Sequence, residues 1–175
     1  MKHNTFYSKG FTALELLVVL GIIGILISVA LTGIDLSRKR ARDNARIADV
    51  QNIILSLEQY HDTCREYPEN IYATTPFTSN GCSTGTSWES FMSATPLDQD
   101  GVTEYLFTGI RTSPGGRCTG YHIGTVLEQD NNKSLQADSD VDSLNDYKCD
   151  LSTGYFDGDE ASLPPGQNVY DVYKN

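Results

Sequence analysis

The chain has 175 residues, with 13 Lys/Arg against 23 Asp/Glu and a formal net charge of −10. Residues 1–46 carry seven Lys/Arg and three acids, whereas residues 47–175 carry six Lys/Arg and twenty acids. The length suits one domain of ordinary size with an appendage, and the acidic body argues against nucleic-acid binding, which needs clustered Lys/Arg.

Residues 1–10 are short and polar, with Lys2 and Lys9, and from Phe11 to Ile34 the only charge is Glu15. As a helix this run would be roughly 36 Å long, enough to cross a hydrocarbon core of about 30 Å. No proline interrupts it, and Gly21, Gly24 and Gly33 permit close helix approach. Three readings fit: a plain anchor; a secretory signal with Ser28-Val29-Ala30 as its small-x-small site, releasing a secreted calcium- or glycan-binding module; or a segment in which Glu15 has a task. A carboxylate in an apolar membrane helix costs on the order of 3 kcal/mol, so the third reading accounts for a residue that the others leave as a defect.

The stretch Lys9-Gly10-Phe11-Thr12-Ala13-Leu14-Glu15-Leu16-Leu17-Val18-Val19 resembles the prepilin motif of type IV pilins and type II secretion pseudopilins. The resemblance implies a leader, residues 1–10, cut after Gly10 on the cytoplasmic side by the prepilin peptidase/methyltransferase. It also implies N-methylation of Phe11, and Glu15 paired with the N-terminal ammonium of a neighbouring subunit. Residues 11–34 would be the membrane-spanning and filament-core helix, with residues 35–62 as its amphipathic continuation. The head, residues 63–175, would lie outside the bacterial cytoplasmic membrane. The partners implied are identical and related pilin subunits, the membrane, and a pilus or secretion assembly machinery. The positive-inside rule would place Arg38, Lys39, Arg40, Arg42 and Arg46 in the cytoplasm; the leader implies that they lie outside, either against lipid phosphates or acidic faces of adjacent subunits or as a solvated helix face.

Beyond Ile34, Ile47, Val50, Ile53, Ile54, Leu57 and Tyr60 recur at spacings of three and four, one apolar stripe with Asp43, Asn44, Asp49, Gln51 and Glu58 off it. The pattern predicts a helix from Phe11 to about Asp62, stopping before Tyr67-Pro68. Residues 63–87 read as a loop, and Thr86-Ser87-Trp88-Glu89 as a capping box that starts a short helix over Ser87–Met92. Thr95-Pro96-Leu97-Asp98 resembles the Pro-x-Asp-Pro stretch before the sheet in major pseudopilins, with Gln99 in place of the second proline. Val102–Ile110 and Cys118–Leu127, separated by Ser113-Pro114-Gly115-Gly116, predict an antiparallel hairpin, with Asn168–Tyr173 as a third strand. The expected architecture is α+β, a pilin-like long helix packed on a small antiparallel sheet.

Cys64, Cys82, Cys118 and Cys149 form no CxxC. Two disulfides in an oxidising compartment are expected. Sequential pairing closes the two shorter loops, with metal ligation or free thiols as the alternatives. Residues 128–160 hold ten acids and two lysines, among them Asp138, Asp140 and Asp142. Alternating aspartates suit Ca²⁺, which takes six to eight oxygen ligands, and the major pseudopilins that the chain resembles bind calcium in a loop near the C-terminus; a solvated acidic loop is the plainer reading. His3, His61 and His122 are far apart in sequence, and no GxSxG, HExxH or P-loop is present, so no enzyme is expected. Loop carboxylates outside an apolar pocket are expected to keep ordinary pKa values.

Overall fold

The apolar run and the amphipathic stripe form one helix, α1 (Ala13–Cys64). The structure, a computed structural model, describes residues 10–73, 82, 86–141, 146–150, 158 and 168–175, with the backbone alone for residues 30–32. Residues 1–9 of the expected leader, Asp142, and parts of the loops expected over 63–87 and 128–160 lie outside the described residues. The chain divides into two units, Met1–Arg38 and Lys39–Asn175.

In the first unit every described side chain is exposed. Phe11 is 83% exposed and Leu14 73%, and the 18-residue apolar window of α1 has none of its residues buried inside the protein. A helix that is apolar all round needs lipid or other helices to cover it.

In the second unit α1 buries Ile47, Val50, Ile53, Leu57, Tyr60 and Cys64. Each fully buried aliphatic side chain in that stripe contributes about 2 kcal/mol. The helix ends where Arg65 turns into the left-handed region (φ 58°), its amide reaching the His61 carbonyl at 2.7 Å. The sheet comprises β1 (Leu106–Arg111), β2 (Gly120–Leu127), β3 (Tyr147–Lys148) and β4 (Asn168–Lys174), antiparallel in the order β3-β1-β2-β4. Phe107, Tyr121, Ile123, Leu127 and Tyr170 share the core with the helix stripe, Tyr67 and Trp88. The disulfides are Cys64–Cys82 and Cys118–Cys149, closing loops with separations of 18 and 31. Loops of that size contribute about 3–4 kcal/mol each through the unfolded chain. A small antiparallel sheet with one long helix is an α+β layout, as expected.

The hairpin turn lies where Ser113-Pro114-Gly115-Gly116 predicts it: the Gly116 amide donates to the Ser113 carbonyl at 3.0 Å and Gly115 has φ +74°. Pro before a left-handed Gly is the type II pattern. Other expectations are corrected. β1 starts at Leu106 rather than Val102, because the Asp100 carboxylate accepts the amides of Val102 and Thr103 at 2.9 and 2.8 Å and holds a tight loop there. The helix expected over Ser87–Met92 is one 3-10 turn, Trp88–Ser90, and the Ser87 side chain makes no cap hydrogen bond. β3, only two residues long, has no periodicity to announce it. Asp43, expected off the apolar stripe, is fully buried. Gly109 sits where a Cβ would come within 2.9 Å of the Pro68 carbonyl oxygen, so its lack of a side chain lets that segment cross β1.

Candidate functional sites

Among the described residues, three groups of charged side chains bear on the residues singled out in the sequence. The first is the start of α1. Thr12 Oγ1 accepts the Glu15 amide at 3.2 Å, while Glu15 Oε2 accepts from the Thr12 amide at 2.9 Å and from its hydroxyl at 2.8 Å. This is a reciprocal capping box, and it explains why the helix begins at Ala13. Thr12 has no assigned part in the sequence reading, although the Thr-x-x-Glu spacing is its signal. Both bonds fall on Oε2, leaving Oε1 for another donor. Gly10 and Phe11 precede the box, exposed.

The second is an acidic cluster at the outer edge of β4. Carboxylate oxygens of Asp138, Asp140 and Asp171 lie within 4.8 Å of one another. The sequence set of Asp138, Asp140 and Asp142 is met in two members; Asp142 lies outside the described residues, and Asp171 is the one the pattern missed. Its signal was a lone acid within an otherwise apolar strand, Val169-Tyr170-Asp171-Val172-Tyr173. Asp171 is fully buried, and its Oδ2 stands 2.7 Å from Nε2 of the equally buried His122 on β2. The Asp140 amide donates to Asp171 Oδ1 at 3.0 Å, and the Ser139 amide to the Asp171 carbonyl at 3.2 Å, so residues 138–141 run along the edge strand. Asp140 takes φ 47°, a left-handed conformation that Asp tolerates better than most residues. The Gly158 amide reaches the Val141 carbonyl at 3.0 Å, and a Cβ on Gly158 would overlap the Asp171 carboxylate.

Both carboxylate oxygens of Asp138 are buried with no hydrogen-bond partner among the described residues. Burial pushes its carboxyl up to about 6; the nearby amides of Asp138 and Asp171, which form no well-shaped bond to it, oppose the rise, and the charges of Asp140 and Asp171 add to it. The expectation of ordinary loop carboxylates is corrected at this residue, because the loop folds over its carboxylate. Three hard oxygen donors suit a cation such as Ca²⁺. A buried carboxylate of this kind fits the same ligand, since a cation would supply the partner that the described residues do not. His122, already turned to Asp171, would orient that ligand rather than bind the ion.

The third is the basic cluster. Arg42 forks onto Glu128, with N–O distances of 2.6 and 2.5 Å. Arg46 reaches Asp98 at 2.8 Å, Glu128 at 3.1 Å and Asp43 at 3.3 Å. Asp43 also accepts the amides of Glu128 and Gln129 at 2.9 and 3.2 Å. The Arg42 hydrogen bond, opposed by burial and aided by Arg46, holds the Glu128 carboxyl down at about 2. Arg42 and Arg46 are thus clasps within the second unit, joining α1 to the end of β2, rather than free charges. His61, one turn before Cys64, stacks on Tyr67 with ring centroids 4.6 Å apart, and Cys64 is in a disulfide.

The chain matches no family model, no curated protein and no solved structure.

Proposed function

We propose that this chain is a structural subunit of a type IV pilus-like or type II secretion pseudopilus filament, cut after Gly10 and assembled through α1. The observation that carries the reading is the exposed apolar surface formed by Phe11 and by the described side chains of α1 up to Val29 and at Ile34, interrupted by one carboxylate at the first turn of the helix. Lipid covers such a surface in a stored subunit, and neighbouring helices cover it in a filament. Scission after Gly10 leaves Thr12 in place, so the capping box survives, and it creates an ammonium at Phe11 beside the box. A buried carboxylate needs a cation close by. Glu15 Oε1 then pairs with the ammonium of a neighbouring subunit, which admits processed chains and rejects unprocessed ones. The two disulfides support an extracytoplasmic head. Because Arg42 and Arg46 are held in ion pairs within the second unit, they carry less weight as cytoplasmic anchors.

The cation site belongs to the same proposal. Asp138, Asp140 and Asp171 hold a Ca²⁺ that fastens residues 138–141 and Gly158 to β4, and the buried Asp138 oxygens support it.

Glu15→Leu in the native host tests the assembly role. The variant is expected to be cleaved and retained in the membrane while filaments are lost. Filaments at the unsubstituted level would overturn it.

A further inference from the structure

A polar cleft of about 470 Å³ opens in the second unit between α1 and the segment after β2. Gln129 lines it and is 93% buried, with a relative exposure of 7%. Its Oε1 accepts from Arg40 Nε at 3.4 Å, but its Nε2 is a buried donor with no acceptor among the described residues. Natural folds rarely leave such a donor unmet, so the group marks a place for an acceptor.

The rest of the lining supplies donors of the same kind. Arg40 and Lys133 bring two cations, and neither has a carboxylate partner among the described residues, in contrast to Arg42 and Arg46. Asn132 uses its Oδ1 to accept the Ser134 amide at 3.1 Å, which leaves its NH₂ to donate; Asn44 and Asn131 add further carboxamides. None of the lining residues among those described is acidic, although residues 47–175 carry twenty acids against six Lys/Arg. Asp43, the nearest buried carboxylate in sequence to Asn44, is already occupied by two amides and Arg46.

We propose that this cleft binds a hydroxylated phosphate ester of the glycerophosphate type, its phosphate held by Arg40, Lys133 and Gln129 Nε2 and its hydroxyls by the asparagines. A guanidinium, an ammonium and an amide donor match the several oxygens of a phosphate better than the two of a carboxylate. The volume exceeds that of a bare phosphate and leaves room for a polyol. Two sources offer this chemistry, an anionic lipid headgroup and a soluble glycerophosphate. Arg40 follows Ile34 by six residues of sequence, so the lipid source is the one that fits a membrane-stored subunit; that choice of source, though not the cleft's chemistry, rests on the function proposed above.

The test uses the full chain in neutral detergent micelles, titrated by calorimetry with glycerol 1-phosphate, with short-chain phosphatidylglycerol and with short-chain phosphatidylcholine. Saturable one-site binding of glycerol 1-phosphate is expected, weakened about tenfold by Arg40→Gln and by Lys133→Gln, each replacing one charge-assisted contact. Gln129→Leu is expected to weaken it as well, and Arg117→Gln, an exposed cation elsewhere, to leave it unchanged. Thermal melting of each variant shows that it is folded, and the two cation variants stand independently if one fails. Phosphatidylglycerol binding more tightly than glycerol 1-phosphate, with phosphatidylcholine inert, supports the lipid source. Equal affinity for the two glycerophosphates supports the soluble source. No saturable binding of either, or equal weakening by Arg117→Gln, overturns the proposal. Processing at Gly10 and filament assembly do not enter this readout, so its failure is separate from theirs.

Discussion

Asp43→Ala should destabilise the second unit by about 3 kcal/mol, the cost of uncovering two amides and one guanidinium where a fully buried carboxylate now serves all three. The Glu128 and Gln129 amides stand 2.9 and 3.2 Å from the Asp43 oxygens, and Arg46 stands 3.3 Å away. Charge-assisted bonds of this kind are worth about 1.5–3 kcal/mol each but share one acceptor group, and water reaches part of the site after truncation, so the sum is not additive. Asp43→Asn keeps one acceptor oxygen and should lose about 2 kcal/mol by the same reasoning. Trp88, the single tryptophan, packs against Tyr60 in the core with ring centroids 6.2 Å apart and reports unfolding by fluorescence. Urea titration of the full chain in neutral detergent gives the difference directly. A loss under about 0.5 kcal/mol, the range of an ordinary surface substitution, would refute the assignment of Asp43 as the post that joins α1 to β2.

Two further outcomes follow from the charged groups. The Glu128 carboxyl is lowered from 4.5 to about 2 in the fold, so the unfolded chain binds its proton first on acidification. The stabilisation is present above pH 4.5 and is lost as pH falls towards 2. Because the side chain is partly solvated, the effect is discounted to about 1 kcal/mol. Glu128→Gln should flatten that part of the acid-unfolding curve, and an unchanged curve would count against the pairing. Calcium at about one hundred times its Kd should stabilise the chain by about 2.7 kcal/mol, read as a rise in melting temperature. Asp171→Asn and Asp138→Asn should each remove the rise, and absence of both heat and shift on adding calcium would sink the site.

The parts legible in the sequence are those where one periodicity governs many residues. The spacing of Ile47, Val50, Ile53, Leu57 and Tyr60 announces the buried face of α1, and all five are buried. Pro114-Gly115 announces the hairpin turn, because proline presets φ at the first central position and glycine takes the positive φ that the type II turn needs at the second. Single residues acting against the pattern are where legibility ends. Asp43 lies four residues before Ile47 and thus on the apolar stripe, yet its charge reads as solvent-facing until its amide partners are seen. Asp171 and His122 sit in β4 and β2, whose pairing brings them together across 49 positions of sequence. Asp100 shortens β1 through two local hydrogen bonds that compete with the strand, a tertiary-independent effect that β-branched composition conceals.

The central claim, scission after Gly10 and assembly through α1, is tested most directly by intact-mass and N-terminal analysis of the protein recovered from its native membranes or filaments. The account predicts a chain that begins at N-methylated Phe11. A chain that begins at Leu31, or one that retains Met1 and the leader while assembled, would contradict it.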